Sequence, residues 1–308
     1  MKKLGLVLLV LMMLVGCQAQ NKDESGKLKV MTSFYPLYDF AQKVGGDKVA
    51  VENIIEGGEA HGYEPSANDI IRIQESDVFI MNGAGFEAWA PKTLQSVKNE
   101  KLKIVDSSQG VTLHEGHDHD DHDHDHDHDD HHHGEYDPHI WMNPMNAYQQ
   151  MKNIKDAFVE VDPENKEYYE ENFKRYGAEF ESLSNDFENK LRNVKNKEVV
   201  VDHTAYGYML GPYGIEQVAI AGSLLSSEPT AKQVDESIQY IKNQNIKAIY
   251  MESLSNDKLL QTISKETGVR ILKLNTLESL SKQDLEKGTD YFKVMHENLE
   301  SLVEGLSL

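Results

Sequence analysis

Apolar positions along the chain fall into two alternating patterns. Short runs rich in Val and Ile are separated by longer stretches in which apolar residues recur every three or four positions. In the first half the runs predict strands over 28–33, 49–55, 77–81 and 102–105, and the stretches predict helices over 36–44, 68–74 and 86–97. Pro36 suits a first helical position, where its missing N–H costs nothing. The second half repeats the rhythm, with strands over 198–201, 217–220, 248–251 and 270–274 and helices over 204–210, 232–243, 257–267 and 282–303. Strands alternating with helices predict α/β architecture with mostly parallel sheets.

Residues 146–195, between the halves, contain no glycine except Gly177 and no proline except Pro163. Tyr169, Phe173, Tyr176, Phe180, Leu183, Phe187 and Leu191 form one helical stripe. The Asp162-Pro163 step interrupts it, predicting one helix before and a long one after. The expected organisation is an N-terminal α/β lobe over 28–145, a rigid connecting helix over 146–195 and a C-terminal α/β lobe over 196–308. The pattern alone also allows one larger doubly wound domain.

The N-terminus changes the picture of where the chain works. Lys2 and Lys3 precede an apolar run from Leu4 to Val15 that is too short for a comfortable membrane span and fits a signal peptide over 1–16. The run ends in Leu14-Val15-Gly16-Cys17, which resembles the lipobox of bacterial lipoproteins and implies lipidation of Cys17. Cys17 is the sole cysteine, so no intramolecular disulfide can form. Residues 17–27 read as the lipidated cysteine and a flexible tether. The expected location is the extracytoplasmic face of the cell membrane. A formal net charge of −21 argues against nucleic acid as a partner, because phosphate binding needs a basic face.

The 14 histidines form two populations. Most lie in the His/Asp-rich segment 114–133, which includes His114, His117, His119, His122, His124, His126, His128, His131, His132 and His133. This segment has almost no apolar content with which to order itself, and its imidazoles and aspartates suit weak binding of several ions without fixed geometry. Its capture of metal should fail in acid. The second population is His61, His139, His203 and His296. His296 belongs to the final amphipathic helix and reads as a surface residue. His61 follows the second strand, His203 closes the fifth and Glu278 follows the eighth, and ligands of open α/β sheets bind at the carboxyl ends of strands. His139 opens the helical region leading to the connecting helix. If these side chains converge, three imidazoles and a carboxylate make a four-coordinate N/O shell suited to zinc, closed against substrate, which favours capture over catalysis. No catalytic zinc motif of the His-Glu-x-x-His type, no nucleophile elbow and no phosphate-cradling loop is present.

Several blocks carry a family resemblance. They are Thr32-Ser33-Phe34-Tyr35-Pro36-Leu37, His61-Gly62-Tyr63-Glu64-Pro65-Ser66, Asp137-Pro138-His139-Ile140-Trp141-Met142-Asn143-Pro144, Asp202-His203-Thr204-Ala205-Tyr206-Gly207-Tyr208 and Leu277-Glu278-Ser279-Leu280. The chain resembles the zinc branch of the metal-binding solute-binding lipoproteins of bacterial ABC importers. The resemblance implies two lobes with the metal in the interlobe cleft, and it carries the ligand role to His61, His139, His203 and Glu278. A histidine at 203 and the His/Asp-rich insertion are similar to the zinc members; manganese members tend to use carboxylates at both second-lobe positions. The second lobe lacks the cysteine pair of some periplasmic relatives, and an extra C-terminal zinc domain after Leu308 is not expected. Glu252 at the end of a strand, or a water, competes with Glu278 for the fourth position.

The expected function is capture of Zn2+ as transported ligand and its delivery to an ABC-importer permease by a monomeric, non-enzymatic protein. A secreted zinc-dependent hydrolase and a surface adhesin using the His-rich loop are the alternatives. A long connecting helix also implies small lobe motion.

Overall fold

A computed structural model describes residues 26–58, 60–115, 136–220, 230–252 and 258–308. The signal peptide and tether up to residue 25 with Cys17, and the histidines from His117 to His133, lie outside the described residues. Among the described residues no helix is long and apolar enough to cross a membrane.

The first lobe holds strands β1 (Leu28–Thr32), β2 (Val49–Asn53), β3 (Val78–Met81) and β4 (Lys103–Asp106) in the order β2-β1-β3-β4. All of its pairings are parallel, with Val30 opposite Val51 and Val78. Helices α1 (Tyr35–Gly45), α2 (Ala67–Glu75) and α3 (Ala90–Leu94) connect them. The second lobe repeats the plan with β5 (Glu198–Val201), β6 (Glu216–Ala219), β7 (Ala248–Glu252) and β8 (Arg270–Leu274), ordered β6-β5-β7-β8 and again parallel. Two separate four-stranded sheets replace the alternative of one larger doubly wound sheet.

Helices α4 (Pro144–Val161) and α5 (Lys166–Leu191) run between the lobes. The break between them falls where Asp162-Pro163 predicts it, and a 3-10 turn over Pro163–Asn165 fills it. At 26 residues, α5 extends about 39 Å at the usual helical rise. It buries Tyr169, Phe180, Leu183, Phe187 and Leu191 from the predicted stripe, while Phe173 and Tyr176 are half-buried. One apolar core runs from Leu28 through α5 to Leu306, so the lobes share an interior. A smaller core on the far face of the second sheet joins Val200 and Ile249 to Ile241 of α7 (Ala231–Asn243) and to Leu260 and Ile263 of α8 (Lys258–Thr267).

Three predicted helices differ from their expected form. The helix over 86–97 shrinks to α3, because Gly83, Ala84 and Gly85 all take positive φ before it and Pro91 restricts its start. The helix over 204–210 shortens to α6 (Gly207–Leu210). The helix over 282–303 divides into α9 (Lys282–Glu286) and α10 (Tyr291–Leu306). Gly288 at φ +71° ends the first, and the Asp290 side chain caps the second by accepting from the Lys293 amide.

Candidate metal centre

Both sheets direct their strand carboxyl ends to one region. The chain leaves β2 through Ile54 and Ile55 and reaches His61; β5 runs into Asp202 and His203; β8 runs into the loop that carries Glu278. His139 comes from the segment ahead of α4. There Asp137 Oδ1 accepts from the His139 amide (3.0 Å), a 3-10 turn spans Ile140–Met142, and the Asn143 side chain caps α4 by accepting from the Met145 and Asn146 amides. The Asp-Pro-His-Ile-Trp-Met-Asn-Pro block is thus a turn and a helix start whose geometry holds one imidazole in place.

The structure brings His61, His139, His203 and Glu278 together. One donor atom from each lies within 4.8 Å of all the others. His61 Nε2 is 3.0 Å from His139 Nε2 and 3.1 Å from Glu278 Oε1, and His139 Nε2 is 3.7 Å from the same oxygen. His139, His203 and Glu278 are buried at 3%, 2% and 3% exposure, and His61 is partly open. His203 Nε2 is buried with no hydrogen-bond partner. A buried polar atom without a partner is costly unless a ligand completes it. Phe86 and Trp141 pack edge-on or tilted against the His61 and His139 rings at 5.3 Å each.

The Nδ1 atoms of His139 and His203 are engaged. His139 Nδ1 lies 2.8 Å from Asp137 Oδ1, and His203 Nδ1 lies 3.1 Å from Glu252 Oε2. A carboxylate accepting from Nδ1–H leaves Nε2 with its lone pair directed at the cluster, an arrangement common around zinc-bound histidines. Glu252 is itself fixed: its amide donates to Asp202 Oδ1 (3.0 Å) and its Oε1 accepts from Thr276 Oγ1 (2.5 Å). One carboxylate oxygen is taken up by Thr276 Oγ1 and the other by Nδ1 on the far side of the His203 ring from Nε2. Glu252, the rival for the fourth position, therefore stands behind His203 rather than beside it.

Electrostatics follow from this packing. Burial would raise the Glu278 carboxyl, but the His61 hydrogen bond and the three neighbouring imidazoles overcome it and bring the pKa down to about 2. Burial lowers the pKa of His139, helped by His61 and His203, against the pull of Asp137. Burial also works against the charged form of His203, yet the Glu252 hydrogen bond and the charges of Glu252, Glu278 and Asp202 outweigh it and raise its pKa.

Of the remaining histidines, His114 stacks on Tyr208 with ring centroids 4.1 Å apart, outside the cluster, and His296 is exposed on α10. An isolated bridge between Glu115 and Tyr136 closes the base of the His/Asp-rich insertion. Sequence reasoning assigned no role to Asp137, Asp202 or Thr276. The spacing Asp-x-His at Asp137 and the adjacent Asp202-His203 pair were the available signals for the first two.

Two parallel-sheet lobes joined by a long helix, with imidazole and carboxylate donors converging between them, define a two-lobed solute-binding protein suited to a small cation. A family model described as zinc-uptake complex component A, periplasmic, matches residues 30–305, and the chain belongs to that family. It is 38% identical over 305 residues to the zinc-binding lipoprotein AdcA of Streptococcus pneumoniae, a match covering 98% of this chain and 60% of that protein. It is 39% identical over 288 residues to the high-affinity zinc uptake system protein ZnuA of Bacillus subtilis, covering 93% of this chain and 90% of the relative. Among solved structures, the Zn(II)-bound ZnuA-like domain of Streptococcus pneumoniae AdcA superimposes with a TM-score of 0.81 at 35% identity, covering 92% of this chain and 100% of that domain. The chain thus spans about three fifths of the length of the pneumococcal protein.

Proposed function

We propose that this chain captures one Zn2+ with His61, His139, His203 and Glu278 and hands it to an ABC-importer permease. The observation that carries the reading is the buried, partnerless Nε2 of His203, facing three further donors within 4.8 Å. Three imidazoles and one carboxylate are a borderline-soft, four-donor set that suits zinc better than the harder manganese, which favours more oxygen. Four protein donors complete a tetrahedron, so no position is left for a reactive water, and the protein acts as a carrier rather than a hydrolase. The names of the relatives, a zinc-binding lipoprotein and a zinc uptake system protein, support the same role. In this reading Cys17 carries the lipid that ties a monomeric protein to the extracytoplasmic face of the membrane. The segment from His117 to His133 serves as a weak collector beside the tight site.

Delivery is tested by removing the protein from its host and growing the cells under zinc chelation. Growth should fail, and it should return with the wild-type chain but not with His139→Ala. Full growth supported by His139→Ala would overturn the role of the cluster in uptake.

A further inference from the structure

The loop after β8, residues 275–279, does more than carry Glu278. Leu277, fully buried, sits at φ +62°, a left-handed conformation that is strained for a non-glycine residue. Such strain persists only where the surroundings over-determine it, and here they do. The Leu277 amide donates to Asn275 Oδ1 (2.7 Å). The Asn275 amide donates to Asn298 Oδ1 (2.9 Å), while Asn298 Nδ2 donates back to the Asn275 carbonyl (2.8 Å). Asn298 is itself buried on α10.

From this fixed turn, bonds run to the neighbourhood of each of the other three donors. Ser279 Oγ donates to the Gly58 carbonyl (2.8 Å), in the segment that leads to His61. Trp141 Nε1 donates to the Thr276 carbonyl (2.6 Å), two residues beyond His139. Thr276 Oγ1 donates to Glu252 Oε1 (2.5 Å), and Glu252 Oε2 receives His203 Nδ1 at 3.1 Å. Thr276 alone supplies two of these ties, and it is 2% exposed.

We propose that Thr276 is a positioning residue for the captured metal. Its hydroxyl holds Glu252, and Glu252 holds the His203 ring in the tautomer and orientation that present Nε2 to the cation. The inference rests on the zinc-capture reading above and deepens it. Without the hydroxyl, Glu252 keeps the Asp202 contact to its amide but loses a restraint on its carboxylate, so the His203 ring can turn.

The test compares Zn2+ affinity of the metal-stripped wild type with Thr276→Val, which removes the hydroxyl at nearly constant shape, and with Thr276→Ser, which keeps it. Thr276→Ala serves if the valine methyl is not accommodated against the carboxylate. Loss of the direct outer partner of a metal-bound histidine weakens affinity about 10-fold or more; Thr276 acts one bond further out, so valine or alanine should weaken affinity by several-fold up to about that limit, and serine should restore most of it. Urea unfolding of the metal-free variants separates a positioning effect from a damaged fold. The visible spectrum of the Co2+-loaded protein supplies a readout of donor geometry, and it should change with valine and return with serine. In a Glu252→Ala background the same Thr276 substitution should cost nothing further. Wild-type affinity and spectrum for Thr276→Val and Thr276→Ala, or an undiminished penalty in that background, would overturn the role of Thr276 alone. A wild type that takes up no zinc tightly would remove the capture reading and this inference together.

Discussion

Lys43 offers a prediction whose size can be worked from the packing. Its ammonium lies 2.7 Å from Asp39 Oδ1, one turn earlier on α1, and 2.9 Å from Asp290 Oδ2, the cap of α10. It also stands 5.6 Å from the ring centroids of Tyr176 on α5 and Phe292 on α10. One cation therefore joins the first lobe, the connecting helix and the last helix. Lys43 and Asp39 are each 11% exposed, whereas Asp290 is 36% exposed and retains solvent. Burial raises the pKa of Asp39 even though Lys43 pulls it down. In Lys43→Met the stem is kept and the charge removed, so Asp39 must remain charged without its partner or take up a proton. Protonating an aspartate at pH 7 from its ordinary pKa of 3.8 costs at most about 4 kcal/mol, which caps that contribution. Lost contacts to the two rings add about 0.5–1 kcal/mol each. The expected loss is thus roughly 2–5 kcal/mol by urea unfolding at pH 7. Sign follows from linkage: a carboxyl whose folded pKa is raised is favoured at low pH and penalised as pH rises through that value. The penalty of Lys43→Met should therefore shrink between pH 7 and pH 5, and Asp39→Asn with Lys43→Met should recover most of it. A loss under about 1 kcal/mol, or one independent of pH, would refute the reasoning and mark the triad as solvent-screened.

Glu87 gives a second pH effect. Burial pushes its carboxyl up to about 7 despite hydrogen bonds from Ser33 Oγ and the Asn82 and Gly83 amides. A folded pKa raised from 4.5 to about 7 makes stability fall as pH rises through that interval, by roughly 3 kcal/mol. Glu87→Gln should flatten this slope in urea unfolding of the metal-free protein from pH 5 to pH 8; an unchanged slope would contradict it. Against burial, the Glu252 hydrogen bond and the surrounding carboxylates raise the pKa of His203, so zinc competes with a proton that this ring holds more firmly than a free imidazole does. Calorimetric zinc titration in two buffers of different ionisation enthalpy should reveal proton release that increases on moving from pH 8 to pH 6.5, and no release at either pH would contradict the assignment. Crystals grown with and without zinc should show little rotation between lobes, because one apolar core runs through both and α5 links them; a rotation on the order of 20° would contradict this.

Much of the fold was legible because buried parallel strands read as short Val/Ile runs and α5 as an unbroken apolar stripe. The shortened helices were harder. Nothing in the pattern of 86–97 shows that the backbone before it takes three successive positive-φ residues, and the division after Glu286 depends on a glycine and a cap that the periodicity passes over. Three of the four clustered residues could be singled out by position, because His61 and His203 follow strand carboxyl ends and His139 opens a helical region, places where α/β folds put ligands; Glu278 ranked ahead of Glu252 only through the family resemblance. The carboxylates behind the histidines were less visible. Glu252 is 49 positions from His203, and only the β5–β7 pairing puts them side by side. Thr276 reaches the site through Glu252, a relation that no spacing encodes.

The central claim is that one tight zinc site is built from both lobes and does not depend on the His/Asp-rich insertion. Calorimetric titration of Zn2+ into metal-stripped protein tests it most directly. The wild type is compared with a form in which residues 117–133 are replaced by a short glycine linker, which the Glu115–Tyr136 bridge can accommodate, and with His61→Ala/His203→Ala. The account predicts one tight event in the wild type that survives the loop replacement with only weak extra binding lost, and that vanishes in the double variant. Tight binding that disappears with the loop, or persists without His61 and His203, would contradict it.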